Sequence, residues 1–155
     1  MEEVMLHARD LMRPATVIGP SATVQELAEL LLDTGADGAC VLDGEMLIGV
    51  VTSMDCIFRG KRVRPPAVFV LFDIVIPLEG PERLRKELRR LAAATVGGLM
   101  TREVVSVSPN TPVDDLATKM VEQHLTVLPV LDGTRLLGMV TKRDLLKLVA
   151  DPSHH

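Results

Sequence analysis

Residues Gly138–Val149 read GMVTKRDLLKLV, and residues Gly49–Ile57 read GVVTSMDCI. Each opens on a glycine inside a β-branched apolar run, which suits the end of a strand. After a threonine, each passes into an apolar stretch with helical spacing. Thr141 stands where a helix N-cap belongs and Asp144 lies three residues on; Thr52 and Asp55 repeat the step. In such a capping box the hydroxyl and the carboxylate take up backbone N–H groups that the first helical turn leaves without partners. One copy is a common local signal. Two copies describe the whole chain.

Working outward, residues 16–58 align with 105–147 at a constant offset of 89. Pro20 lies over Pro109, Leu27 over Leu116, Val41 over Val130, and Asp43-Gly44 over Asp132-Gly133. Upstream, Asp10-Leu11-Met12 lies over Gly98-Leu99-Met100 at an offset of 88, so one copy carries a single-residue indel near residue 15. A repeat of this kind sets the architecture before any single element does.

Each copy reads as strand, helix, strand, strand, helix. The first strand is short, 16–18 and 104–107. Thr111-Pro112 is expected to open the second copy's helix, as an N-cap with proline at the first helical position. Val113, Leu116, Ala117, Met120 and Val121 then form one helical face, and Val24, Leu27, Ala28, Leu31 and Leu32 match them in the first copy. Asp43-Gly44 and Asp132-Gly133 each sit between β-rich runs, a strong hairpin signal. Neither copy has enough apolar surface to bury alone. The expected fold class is therefore α+β, two β-α-β-β-α units packed sheet to sheet about a pseudo-twofold axis.

The expected organisation is repeat 1 over 1–58, an insert over 59–94, repeat 2 over 95–150 and a tail over 151–155. His154 and His155 in that tail read as a tag remnant. The insert opens basic and proline-rich (RGKRVRPP, 59–66) and continues as an apolar run over 67–78, read as a buried strand or an interface segment. It ends in a charged helix, PERLRKELRRLAAA (81–94), with a narrow Leu84, Leu88, Leu91 stripe.

Composition bounds what the chain can do. Of 155 residues 47% are apolar, enough for a core, but there are three Phe and no Tyr or Trp. That leaves no aromatic platform for single-stranded nucleic acid, and a net charge of −4 gives no broad basic field. Nucleic-acid binding is not expected. Cys40 and Cys56 have neither metal nor redox spacing and read as buried thiols in a reducing compartment. The acidic start MEEVMLHARDLM lacks signal-peptide character, and no run approaches the ~20 apolar residues of a membrane span, so a cytoplasmic location is expected. No nucleophile–His–acid set, metal-ligand cluster, P-loop or GxGxxG is present. No catalytic residue, metal site or cofactor is expected, and His124 reads as a helix C-terminal cation or a partly buried polar residue rather than a ligand or base.

The order, spacing and duplication of these parts resemble a tandem cystathionine-β-synthase (CBS) domain pair. The resemblance rests on the Leu-Met–strand–Pro–helix opening, the LPVLDG hairpin, and the GMVTKRDLL and GVVTSMDCI closures. It covers nearly all of residues 4 to 150 except the insert. It implies a disk with two clefts, one or both holding an adenosine ligand, that regulates a protein effector and does no chemistry itself. It also implies a nucleotide site at Val104, Val105, Thr126, Val127, Leu128 and Pro129, completed by Thr141, Lys142, Arg143 and Asp144. Val17, Thr52 and Asp55 would form a second, weaker site. The expected ligand is AMP, ADP or ATP, with or without magnesium, and the alternative is S-adenosylmethionine. A homodimer is expected as well.

The residues suit those roles. A hydroxyl at a helix N-terminus, with cationic Lys142 and Arg143 beside it, favours phosphate, and Asp144 could accept from ribose hydroxyls. The first copy has Ser53 and Met54 in place of the cations and Asp37 in place of Thr126. The second cleft is thus expected to hold the phosphate-bearing nucleotide. A competing reading is an interaction module whose clefts bind nothing, with the insert as its contact surface.

Overall fold

The computed structural model describes residues 5–53, 68–71, 74–77 and 81–150. The elements run α1 (Ala8–Leu11), β1 (Val17–Ile18), α2 (Val24–Thr34), β2 (Gly38–Asp43), β3 (Met46–Thr52), β4 (Val68–Leu71), β5 (Ile74–Pro77) and α3 (Pro81–Ala93). Then come α4 (Val96–Leu99), α5 (Val113–Glu122), β6 (Val127–Asp132), β7 (Arg135–Thr141) and α6 (Lys142–Ala150). The α+β repeat is therefore present. Met54, Asp55, Cys56 and the basic segment 59–64 fall outside the described residues.

Both hairpins pair in the same register. Gly38 faces Thr52 and Asp43 faces Met46; Val127 faces Thr141 and Asp132 faces Arg135. A register shift follows Val41 in one and Val130 in the other. The aspartates close the ladders, so the two-residue turns are Gly44-Glu45 and Gly133-Thr134, one residue later than Asp-Gly. Both glycines have φ +62°, at the first turn position, where a positive φ needs glycine.

Two expectations at the second repeat are corrected. Its first strand, expected over 104–107, is a single parallel bridge between Val107 and Val130. In repeat 1, β1 pairs over Val17↔Cys40 and Ile18↔Val41, and the Cys40 N–H donates to the Thr16 carbonyl at 2.7 Å. Pro129 stands at the Cys40 position and has no N–H to give, so the ladder is cut short. The helix cap also differs. Thr111 is not the N-cap: Pro112 is, in an extended conformation with no side-chain cap, and the Thr111 hydroxyl accepts from Ser108 N–H at 3.1 Å instead. In repeat 1 the corresponding Thr23 caps α2 by accepting from Glu26 N–H at 3.1 Å.

The apolar helix faces are narrower than their sequence spacing. Leu27, Leu31, Leu116 and Met120 are buried, whereas Leu32 and Val121 are 83% and 72% exposed. The sheet covers one side of each helix, and the eighth position of the stripe rotates past its edge.

The two repeats exchange their opening segments. Ala8, Leu11 and Met12 pack on a core built from Leu116, Met120, Leu128 and Val140 of repeat 2. Val96 and Met100 pack on Leu27, Leu31, Val41 and Val51 of repeat 1. Backbone bridges repeat the exchange at matched positions: His7↔Pro112 with Thr23↔Thr95, and Arg13↔Met139 with Val50↔Thr101. A third core cluster of Cys40, Val127 and Met139 joins the repeats in the middle. Burial pushes the Cys40 thiol up to about 12, as suits a thiol in an apolar core.

Gly49 and Gly138 permit these crossings. A Cβ on Gly138 would stand 2.5 Å from the Arg13 carbonyl oxygen, and one on Gly49 2.6 Å from Met100 Sδ. In the insert, β4 and β5 form an antiparallel hairpin from what reads in sequence as one apolar run, and α3 packs against α2 and β5. Of its leucine stripe, Leu84 and Leu91 are half-buried and Leu88 is exposed.

Candidate functional site

A cavity of about 500 Å³ opens between the repeats, within the size range of small-molecule sites. Its apolar lining is Val104 and Val105 from the segment before the Val107 bridge, Leu125, Val127 at the start of β6, and Val50 on β3. Its polar lining is Thr52, Thr101, Glu103, Gln123, His124, Thr126 and Lys142. Lys142 is the first residue of α6, and its backbone N–H donates to the Thr126 carbonyl at 3.2 Å. Lys142 therefore brings a cationic side chain to a helix N-terminus that lines the cavity, and both favour an anion.

The fold distributes the sequence-identified residues over more than one place. Val104, Val105, Thr126, Val127 and Lys142 come together in this cavity, and Thr52 of the other repeat joins them. Leu128 and Pro129 are fully buried in β6. Val17 lines a different cavity of about 670 Å³ between the hairpin ends, with Leu42, Glu45, Arg135 and Leu137. Arg143 points elsewhere, its Nε 3.7 Å from Asp37 Oδ2.

Thr141 and Asp144 also lie apart from the open cavity. Both are buried, 2% and 4% exposed. Asp144 Oδ2 accepts from the Thr141 N–H at 2.8 Å and from the Thr141 hydroxyl at 3.0 Å. Arg13 then grips the same carboxylate, Nε at 3.1 Å and Nη2 at 2.5 Å from Oδ1. Burial works to raise the Asp144 pKa, but the Arg13 guanidinium and both Thr141 donors outweigh it and hold it below the usual carboxylate value. The physical reason for this separation is the exchange of openings. The end of each hairpin bridges to the opening segment of the opposite repeat, Val50 to Thr101 and Met139 to Arg13, so that Thr52 shares a cavity with Thr101 and Asp144 is held by Arg13.

Thr101, Glu103, Gln123, His124 and Leu125 are cavity residues that sequence reasoning missed. His124 has φ +53° and is the one described non-glycine residue in the left-handed region. The same offset of 89 places it over Gly35, which has φ +69° and ends α2. A histidine in a glycine conformation, at a cavity wall, was the signal available in the alignment. Among the described residues no group of three or more His, Cys, Asp or Glu side chains could hold a metal ion, and no helix is long and apolar enough to cross a membrane.

Known proteins place this geometry. The chain is 27% identical over 155 residues to the uncharacterized protein MJ1426 of Methanocaldococcus jannaschii, covering 94% of this chain and 91% of that one. It is 26% identical over 141 residues to an A-adding tRNA nucleotidyltransferase of Geobacter sulfurreducens, covering 90% of this chain but spanning only 13% of that protein. Among solved structures, CBSX2 from Arabidopsis thaliana superposes with a TM-score of 0.73 at 24% identity, covering 98% and 99% of the two chains. A second CBSX2 structure, in complex with AMP, gives 0.67 over 96% and 98% at the same identity. The CBS domain pair of MJ0100, in complex with 5′-methylthioadenosine and S-adenosylmethionine, gives 0.70 at 22% identity over 96% and 99%. At these identities the likeness is one of fold. The CBS domain family itself matches residues 8–61 and 96–151, more than half of the chain and both repeats. The chain belongs to the CBS domain family, as a tandem pair.

Proposed function

We propose that this protein is a regulatory module that binds an adenine nucleotide in the cavity formed by Val104, Val105, Thr126, Val127, Thr52 and Lys142. The observation that carries the reading is the cavity's lining: an apolar slot of Val50, Val104, Val105, Leu125 and Val127, joined by Lys142, the first residue of α6. The slot suits an uncharged aromatic base, and the ammonium suits a phosphate. Relatives of this fold solved with AMP or with S-adenosylmethionine and 5′-methylthioadenosine support an adenosine ligand. Lys142 favours the anionic nucleotides over the cationic sulfonium. Thr141 and Asp144 are not part of this site, because they lie outside its walls.

The bound nucleotide acts on a protein effector by tightening the two repeats around the cavity, which requires tighter binding to one arrangement than to the other. A homodimer is part of the proposal: Leu32, Val121, Leu146 and Val149 are apolar and exposed on the helices, and a second copy would cover them. Sedimentation velocity decides that point by mass. The ligand is tested by isothermal titration with AMP, ADP, ATP and S-adenosylmethionine. Saturable binding of an adenine nucleotide, weakened on the order of tenfold by Lys142→Ala, is expected. Tighter binding of S-adenosylmethionine than of any nucleotide would move the reading to the sulfonium ligand, and no saturable heat with any of the four would leave an interaction module.

A further inference from the structure

The offset that superposes the repeats maps the open cavity onto a second set of residues on the opposite side of the disk. Val104 and Val105 map to Ala15 and Thr16, Thr126 and Val127 to Asp37 and Gly38, and Thr52 to Thr141. Thr101, which lines the open cavity, maps to Arg13 at the offset of 88 that holds upstream of the indel. The two positions are equivalent in the fold as well as in the alignment, since each forms the backbone bridge to the opposite repeat. A short hydroxyl side chain thus stands in one cleft where a long guanidinium stands in the other.

That guanidinium is engaged by Asp144. Arg13 Nε and Nη2 donate side by side to Asp144, which is 4% exposed and also takes both Thr141 donors. Asp37 and Arg143 pair beside it, and Lys147 Nζ stands 3.8 Å from Asp144 Oδ1. Two adjacent N–H donors on a carboxylate reproduce what the two neighbouring hydroxyls of a ribose would offer the same oxygens. We propose that Arg13 is a built-in occupant of this cleft: it takes the place of a ribose diol on Asp144, so that the chain offers one ligand site, and its removal creates a second. With Arg13 gone, Asp144 would be free to accept from a diol, while Arg143 stays paired to Asp37 and Lys147 stays near Asp144. The opened cleft would therefore take a diol-bearing nucleoside, for which adenosine is the minimal probe. The inference builds on the nucleotide reading of the open cavity.

Equilibrium dialysis with AMP and with adenosine tests it, on the wild-type chain, on Arg13→Thr, which copies Thr101, and on Arg13→Thr/Asp144→Asn. The wild type is expected to bind one equivalent of AMP. Arg13→Thr should gain one further equivalent of adenosine, at least tenfold tighter than any second-site binding to the wild type, and the double variant should lose that gain. A wild type that already binds two equivalents, or an Arg13→Thr stoichiometry equal to wild type, overturns the proposal. A wild type that binds nothing, with Arg13→Thr binding adenosine, sinks the reading of the open cavity and upholds this one. If Arg13→Thr gives no cooperative unfolding transition, Arg13→Ala replaces it. That variant leaves Asp144 without a donor from residue 13, so a second adenosine site is expected, and its absence is equally decisive.

Discussion

The two repeats were built from one pattern and solve the same packing problem with different side chains. In repeat 1 a glycine, Gly35, ends the first long helix, a threonine caps that helix, and Cys40 donates to the first strand. In repeat 2 His124, Pro112 and Pro129 stand at those positions, and each departs from the local rule: a histidine with φ +53°, a cap without a side-chain acceptor, and a strand residue without an N–H. Of the three, His124 lines the open cavity, whereas Pro112 bridges His7 at the other end of α5 and Pro129 is buried in β6. The better-capped repeat instead supplies Arg13, which closes the equivalent cleft. The comparison teaches that the one backbone departure at the open cavity is the left-handed His124, where the closed side keeps a glycine.

The largest expected effect breaks the closed side. Asp144→Ala removes the partner of Arg13 and the acceptor of the Thr141 N–H, and should destabilise the fold by about 3 kcal/mol in urea unfolding. It should leave AMP affinity within about twofold, because Asp144 is outside the open cavity. The same ion pair predicts a pH dependence. Asp144 has a folded pKa below its unfolded value of roughly 3.9, so its contribution is complete above that value and is lost as pH falls through the folded pKa. The stability gap between wild type and Asp144→Asn should be constant above about pH 5 and shrink below about pH 4. A gap that widens in acid would contradict the ion pair.

The crossings come next. Gly138→Ala forces a methyl against the Arg13 backbone carbonyl, whereas Gly49→Ala meets the flexible end of Met100. Thermal and urea unfolding should show a cost of about 2–3 kcal/mol for the first and about 1 kcal/mol for the second. Equal costs would mean that the two crossings are equally adaptable. Smallest is the helix end. Gly35→Ala should cost about 1 kcal/mol and His124→Gly should gain up to about 1 kcal/mol, because only the histidine carries a side chain in the left-handed region. A loss of stability in His124→Gly would show that the imidazole makes a contact worth more than its strain.

Much of the fold was legible because its signals are local. The duplicated Gly-x-x-Thr-x-x-Asp step, the hairpin glycines and the helical spacing of Leu116 and Met120 each act within a few residues. What was not legible was long-range. Nothing near Leu11-Met12 or Leu99-Met100 states that each docks on the opposite repeat, and that exchange decides which threonine faces which cleft. Reading each cleft as the property of one repeat therefore joined Thr141 and Asp144 to Val104 and Val105, whereas the fold sets Thr52 beside the valines and Arg13 beside the aspartate. The apolar run over 67–78 likewise forms two antiparallel strands, which its pattern does not separate.

The central claim is that one of two equivalent clefts is open to a nucleotide and the other is held shut by Arg13. Backbone amide chemical shifts of the isotopically labelled protein, followed during titration with AMP, test it most directly. The account predicts saturable shifts at Val104, Val105, Thr126, Val127, Lys142 and Thr52, with Arg13, Thr141 and Asp144 unmoved. Shifts gathered around Arg13, Thr141 and Asp144, with the valine-lined cavity silent, would contradict it.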